Sequence, residues 1–319
     1  MFDVLTITSP IYIIVGLGFV FTRAGLFAKP DMRLFGKFVL NLALPALVFR
    51  ALSQRELGEV LNPGYLVAYT VGALAVVGLG YTWARRVAGH SATASTFLAM
   101  GMSSSNSGFV GYPIMLLTLA PLAGVVLALN MLVENLVVIP LLLWLAERAK
   151  GTGDPWRALT QSLVRLATNP LFLALAAGLV ISATGWQLPA PVTRSIDLLA
   201  SASGALSLFV IGGTLVGLPL AGMGQRVMPV VLGKLLVHPL LVWGAVSALP
   251  WLGLDLSPEL RMAAVLSAAM PVMGIYPTLA QAHGQEDTSA AALMATTMAS
   301  FFTLSTLLWL FNTARTAGG

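Results

Sequence analysis

Ten apolar stretches run through this chain, at about residues 4–22, 34–52, 64–84, 93–118, 122–146, 169–185, 196–218, 228–249, 262–282 and 289–311. Each comes close to the roughly 20 residues that a helix needs to cross a hydrocarbon core about 30 Å thick. Inside such a core every backbone polar group must find its partner within the protein, so this pattern folds as helices. The charges agree: 17 Lys and Arg and 12 Asp and Glu make only 9% of 319 residues, against about 25% in soluble domains. That excludes an ordinary soluble enzyme and any disordered or nucleic-acid-binding tail. The net charge of +5 fits loops facing an anionic leaflet better than it fits DNA. With no cysteine, disulfides, thiolate metal sites and thiol catalysis are absent too. The first stretch reads as a retained span and not a signal peptide, because Asp3 precedes it and the first basic residue, Arg23, follows it.

Basic residues set the orientation. Arg23, Lys29, Arg33, Lys37, Arg85, Arg86, Arg148, Lys150, Arg157, Arg165 and Arg226 fall on one face of a ten-span topology; Arg50, Arg55, Arg194, Arg261 and Arg315 fall on the other. The expectation is an integral protein of a bacterial inner membrane with both termini outside. Residues 149–168 then form a cytoplasmic linker between two five-span halves, 1–148 and 169–319. Sliding the chain by 164 residues lays Tyr112-Pro113 on Tyr276-Pro277 and Ser103 on Ser267. All five spans of each half fall into step. An odd number of spans per half makes the repeat inverted, as in many secondary transporters.

Two spans are interrupted at equivalent places. Span 4 reads Ser103-Ser104-Ser105-Asn106-Ser107-Gly108-Phe109-Val110-Gly111-Tyr112-Pro113, and span 9 reads Met270-Pro271-Val272-Met273-Gly274-Ile275-Tyr276-Pro277. Proline removes a donor and crowds the preceding turn, and glycine permits unwinding. Such breaks persist in a bilayer only where they are buried or line a wet cavity. Two proline kinks are the alternative; their matched positions and the Ser/Asn cluster favour a substrate site.

These residues resemble the auxin efflux carrier family, which includes plant PIN-type auxin carriers and bacterial members named as malonate transporters. The resemblance rests on Asn41-Leu42-Ala43-Leu44-Pro45-Ala46-Leu47-Val48-Phe49, on Asn106 to Ile114, on Lys234-Leu235-Leu236-Val237-His238-Pro239 and on Met270 to Pro277. It implies an all-α fold of ten transmembrane helices in two inverted five-helix repeats, with spans 4 and 9 broken and crossing at their prolines. It also implies an anionic substrate beside that crossing and a homodimer formed through scaffold spans. Spans 3–5 and 8–10 would move elevator-like against spans 1, 2, 6 and 7. In PIN-type carriers an Asn seven residues before the span 4 Pro helps hold the substrate carboxylate, and Asn106 and Pro113 keep that spacing. The chain departs from many plant PINs in lacking their long cytoplasmic loop, which argues against regulation by phosphorylation. It also has no Asn or Gln between Pro271 and Pro277.

The expected substrate set is therefore Ser103, Ser104, Ser105, Asn106, Gly108, Tyr112, Pro113, Met273, Gly274, Tyr276 and Pro277. A second set holds the ionisable groups inside spans. Glu134, with Asn130 one turn earlier, reads either as a proton or cation-coupling carboxylate or as a structural group capping freed backbone in span 4. Lys234 and His238 share a face of span 8. Lys234 is a counter-charge for a substrate carboxylate, an occupant of a site that a sodium ion fills in related folds, or a snorkelling surface lysine. His238 either titrates or only hydrogen-bonds. Asn41 and Pro45 read as a scaffold kink, and Arg50 as an interfacial anchor that could aid anion entry.

The function expected is secondary transport of small organic anions, a carboxylate such as malonate, with no cofactor or metal and either a proton or sodium as coupling ion. The rival is a sodium-coupled carrier of larger amphipathic anions on a bile-acid-transporter-like fold. No H-E-x-x-H cluster and no G-x-x-x-x-G-K-[ST] segment occurs, so neither an enzyme nor a primary pump is expected.

Overall fold

The computed structural model of the chain describes residues 2–55, 58, 61–150, 155–217 and 224–317. The turn expected at Gly151–Asp154 lies outside the described residues. Among those described, the protein is helical without a strand. Six helices are long and apolar enough to cross a membrane: α2 (Lys29–Ser53), α3 (Pro63–Arg86), α6 (Ala120–Ala149), α9 (Ala190–Thr214), α10 (Val227–Leu252) and the stretch Glu286–Phe311 of α13 (Glu286–Ala317). Three further helices are α1 (Phe2–Arg23), α5 (Ser107–Thr118) and α8 (Pro170–Thr184), each with a shorter apolar run. The rest are α4 (Ala92–Ser103), α7 (Pro155–Ala167), α11 (Pro258–Ala268) and α12 (Tyr276–Gln281). The linker expected at 149–168 thus carries a helix of its own, α7.

Proline chemistry explains the local irregularities. Among the described residues, four five-residue π-helical turns interrupt the helices, at Val39–Ala43, Ser107–Gly111, Glu134–Val138 and Gly233–Val237. In each case a proline stands two residues beyond the end: Pro45, Pro113, Pro140 and Pro239. A proline ring clashes with the carbonyl four residues earlier, and that residue is the centre of each wide turn; opening the turn relieves the clash. Side chains then occupy loosened carbonyls, with Asn41 Nδ2 donating to Lys37 O at 2.7 Å and Asn135 Nδ2 to Met131 O at 2.9 Å. Asn41 is exposed and bonds only locally in this way, in keeping with a scaffold kink.

The chain divides into two compact units. The first comprises Met1–Asn62, Gly108–Leu129 and Ala167–Leu218, and the second Pro63–Ser107, Asn130–Leu166 and Pro219–Gly319. In the first, α1 lies so close to α9 that a Cβ on Gly18 or Gly212 would collide with the backbone of Phe209 or Val15. Small residues at such contacts let helices pack where apolar lipid supplies no hydrophobic drive. Phe27 meets Phe35 and Phe209 edge-on, with ring centroids 5.6 and 5.3 Å apart. In the second unit α3 packs on α10, where Gly72 makes room for Val242. This unit holds both helix breaks.

Candidate functional site

The breaks are real and they meet. α4 ends at Ser103 and α11 at Ala268, and the chain runs extended through Ser104–Asn106 and through Pro271–Met273. The two extended pieces pair antiparallel: Asn106 N–H donates to Pro271 O at 2.8 Å and Met273 N–H to Ser104 O at 3.2 Å, with Ser105 opposite Val272. Each break thereby satisfies backbone groups the other has freed, which a buried unwound segment requires. The pairing does not fall at the repeated Tyr-Pro steps, as the sequence suggested. Pro277 instead lies in the first turn of α12, where a missing N–H costs least, and Pro113 lies two residues beyond the π-helical turn that opens α5.

Around Ser105 is a buried polar network. The Ser105 N–H donates to Glu134 Oε1 at 2.8 Å, and Tyr69 OH reaches the same oxygen at 3.3 Å. Ser105 Oγ lies 3.1 Å from Tyr69 OH and accepts from Lys234 Nζ at 2.8 Å. Lys234 Nζ also lies 3.0 Å from His238 Nδ1 and donates to Ala268 O at 2.6 Å. Three donors therefore meet three acceptors, and the ammonium caps the last carbonyl of α11, where the helix dipole favours a cation. Lys234 and His238 are completely buried and Glu134 nearly so. The snorkelling alternative for Lys234 is excluded, and Glu134 does cap freed backbone of the span 4 break. His238 turns Nδ1 to the Lys234 ammonium, and its buried Nε2 has no hydrogen-bond partner.

Other expected residues have different neighbours. Asn130 accepts from Tyr65 OH at 2.8 Å and does not bond Glu134; Tyr65 OH also lies 3.3 Å from Ser267 Oγ. Ser103 Oγ bonds back to Ala99 O at 2.9 Å, whereas the buried Ser104 Oγ has no partner. Asn106 is half-buried, Met273 buried, Gly274 exposed and Pro277 half-buried. Tyr276 is buried with its hydroxyl committed to Phe97 O at 2.6 Å, in space left by Gly101. That is a packing role. Gly108, Tyr112 and Pro113 belong to the first unit, where Tyr112 touches α9 at Gly204. Arg50 pairs with Asp197 at 3.6 Å and, with Gln54, Trp186 and Thr193, lines a 440 Å³ cavity of that unit.

Sequence reasoning missed Tyr65, Tyr69 and Thr296. Thr296 Oγ1 accepts the Val272 N–H at 3.3 Å, so it serves the second break. The tyrosines were detectable: two phenols four residues apart in an apolar helix demand partners if buried. Thr296 was not, because a threonine hydroxyl bonding its own helix, here Ala292 O at 2.8 Å, reads the same in sequence.

A chain with six helices long and apolar enough to cross a membrane, and with buried charges gathered around a crossed pair of helix breaks, is built as an integral membrane transport protein. Residues 3–310 match the family described as membrane transport protein. The chain belongs to that family, which is the family of the auxin efflux carriers. It is 26% identical over 314 residues to a Rhizobium meliloti (strain 1021) protein named "Putative malonate transporter", covering 98% of this chain and 97% of that one. It is also 26% identical over 217 residues to the "Uncharacterized transporter YfdV" of Escherichia coli (strain K12), covering 65% of this chain and 67% of the relative. A Methanothermobacter thermautotrophicus "Uncharacterized transporter" is 30% identical over 108 residues, 33% of this chain.

Proposed function

We propose that the protein carries small organic anions across a bacterial inner membrane, a carboxylate such as malonate being the leading substrate. Ten spans in two inverted five-span repeats would place both termini outside and the α7 linker in the cytoplasm. The observation that carries this reading is the antiparallel pairing of the two breaks, with the half-buried amide of Asn106 and the exposed Gly274 at its edge. Breaks of this kind are where secondary transporters bind substrate. The Rhizobium meliloti relative's name supports the carboxylate. The Asn106 amide offers donors to a carboxylate, and Lys234 supplies positive charge behind Ser105.

Alternating access would be elevator-like. The division of the chain supports this in part: the second unit contains α3, α4, most of α6 and α10–α13, and the first contains α1, α2, α8 and α9, as in the carrier and scaffold sets the family resemblance implies, but the first also takes α5 from Gly108 on and α6 up to Leu129. Scaffold spans would also form the homodimer.

Lys234 bears on the coupling ion. Its ammonium already engages a hydroxyl, an imidazole nitrogen and a carbonyl, and two of these are oxygen donors of the kind a hard cation seeks. A fixed cation there favours sodium-independent transport over the sodium-coupled alternative.

The test begins with a thermal-shift screen of mono- and dicarboxylates, since a ligand that binds only the folded state raises its melting temperature. Uptake of the best ligand into proteoliposomes follows. Asn106→Ala should lower uptake about tenfold or more at unchanged unfolding temperature, the loss expected when hydrogen bonds to a charged group worth about 1.5–3 kcal/mol are removed. Unchanged uptake would sink the site. Replacing sodium by choline at fixed pH should leave uptake intact; its collapse would favour the sodium-coupled alternative.

A further inference from the structure

Helix α7 takes no part in the site described above. It has two arginines, Arg157 and Arg165, and no acidic residue between Pro155 and Ala167. At 100° per residue, Trp156, Leu159, Leu163 and Leu166 share one face, and Arg157 and Gln161 lie on the other. Leu166 is buried, but Trp156 and Leu163 are 68% and 44% exposed. A helix with a wide apolar face only partly covered by protein, and a basic opposite face, has the make-up of one lying in a bilayer interface.

Its surroundings repeat that chemistry. The Trp156 ring stands 6.5 Å from the ring of Trp144, near the end of α6, and the Arg148 guanidinium lies 5.3 Å over Trp144. Tryptophan and arginine together are the residues of the headgroup layer. Acidic Glu147, one residue from Arg148, is occupied 3.0 Å from His283 Nε2. Positive charge therefore prevails where α6 gives way to α7.

We propose that α7 lies in the headgroup layer and that its basic face binds anionic phospholipid. The membrane is the occupant because the protein is integral to one and α7 follows directly on a helix long enough to span it. The charge complementarity is with lipid phosphate.

The chain has no cysteine, so single labels are unambiguous. Leu163→Cys and Gln161→Cys, in the otherwise unchanged protein, take a nitroxide and are compared in nanodiscs of phosphatidylcholine alone and with phosphatidylglycerol added. The Leu163→Cys label should be accessible to oxygen and shielded from an aqueous nickel complex, and the Gln161→Cys label the reverse. Phosphatidylglycerol should increase the immersed population. Each of Arg157→Gln and Arg165→Gln should reduce that increase about fivefold, as the loss of one surface charge near an anionic leaflet implies. Leu159→Cys is a second position on the apolar face should Leu163→Cys unfold the helix. A label at Leu163 or Leu159 as exposed to nickel as that at Gln161 overturns the proposal. So does immersion indifferent to phosphatidylglycerol.

Discussion

The two helix breaks pair with each other through an extended backbone and differ in the side chains that meet their freed N–H groups. At Ser104–Asn106 the freed groups are met by ionisable side chains: Glu134 takes the Ser105 N–H, and Lys234 and Tyr69 reach Ser105 Oγ. At Pro271–Met273 the side-chain partner is a neutral hydroxyl, Thr296 Oγ1 on the Val272 N–H. Lys234 serves both, bonding Ser105 at one break and Ala268 O at the end of the helix that enters the other. In a medium where an unmet N–H costs several kcal/mol, either solution suffices for stability. The charged one also creates a group whose removal leaves another charge stranded, so the first break should be the more fragile and the more responsive to substrate.

Lys234→Met breaks this comparison most severely. It strands Glu134 and removes a donor from three acceptors at once, and losing one member of a buried charged set costs about 3–5 kcal/mol. The expected outcome is a steep fall in unfolding temperature in detergent and no uptake. Glu134→Gln keeps an acceptor for the Ser105 N–H and should cost less. The double variant should be more stable than the sum of the two losses predicts, by about 1 kcal/mol or more, because neighbouring groups in one network couple. Strict additivity would mean that the carboxylate and ammonium do not act through Ser105.

Thr296→Val sharpens the comparison from the other side. Removing one neutral hydroxyl that accepts a buried N–H should cost about 1–3 kcal/mol, and Thr296→Ser should restore most of it. If the second break is held neutrally, the loss will not change with salt or pH, and uptake will fall only as far as folding does. A loss as large as that of Lys234→Met would show the two breaks to be equally demanding.

These differences mark how far the amino-acid sequence could be read. Asn106-to-Pro113 and Met270-to-Pro277 announced the breaks, because proline and glycine crowded into an apolar run weaken the helix that the run would otherwise form. Glu134 and Lys234 were equally legible as charges where charge is expensive. What did not show was their meeting at Ser105, since α6, α10 and the break are far apart along the chain and only tertiary packing joins them. The pairing register was hidden for a related reason. Antiparallel backbone bonds depend on which N–H groups are freed, and the π-helical turn at Ser107–Gly111 rewinds the chain several residues ahead of Pro113. Span 9 has no such turn and stays unwound until Tyr276. Tyr112 and Tyr276, which the 164-residue offset aligns, belong to different units.

The smallest effect belongs to a surface pair at the start of α11, the helix that leads into the second break. Asp255 Oδ1 accepts the Leu256 N–H at 2.7 Å and Arg261 Nη2 at 2.8 Å. The backbone N–H first, and the guanidinium after it, hold the carboxyl below its ordinary value of 3.8. A carboxyl lowered on folding contributes stability above its unfolded pKa and loses it as pH falls through the folded one. Asp255→Asn should therefore lower the unfolding temperature slightly at neutral pH and not at all in strong acid, because an exposed pair is screened by water. The pH dependence distinguishes this from the network at the first break, where Lys234→Met should be costly at every pH at which the protein folds. If Asp255→Asn proved as damaging as Thr296→Val, the helix entering the second break would be held from its exposed end, and neutral capping at Val272 would not be what keeps that break in place.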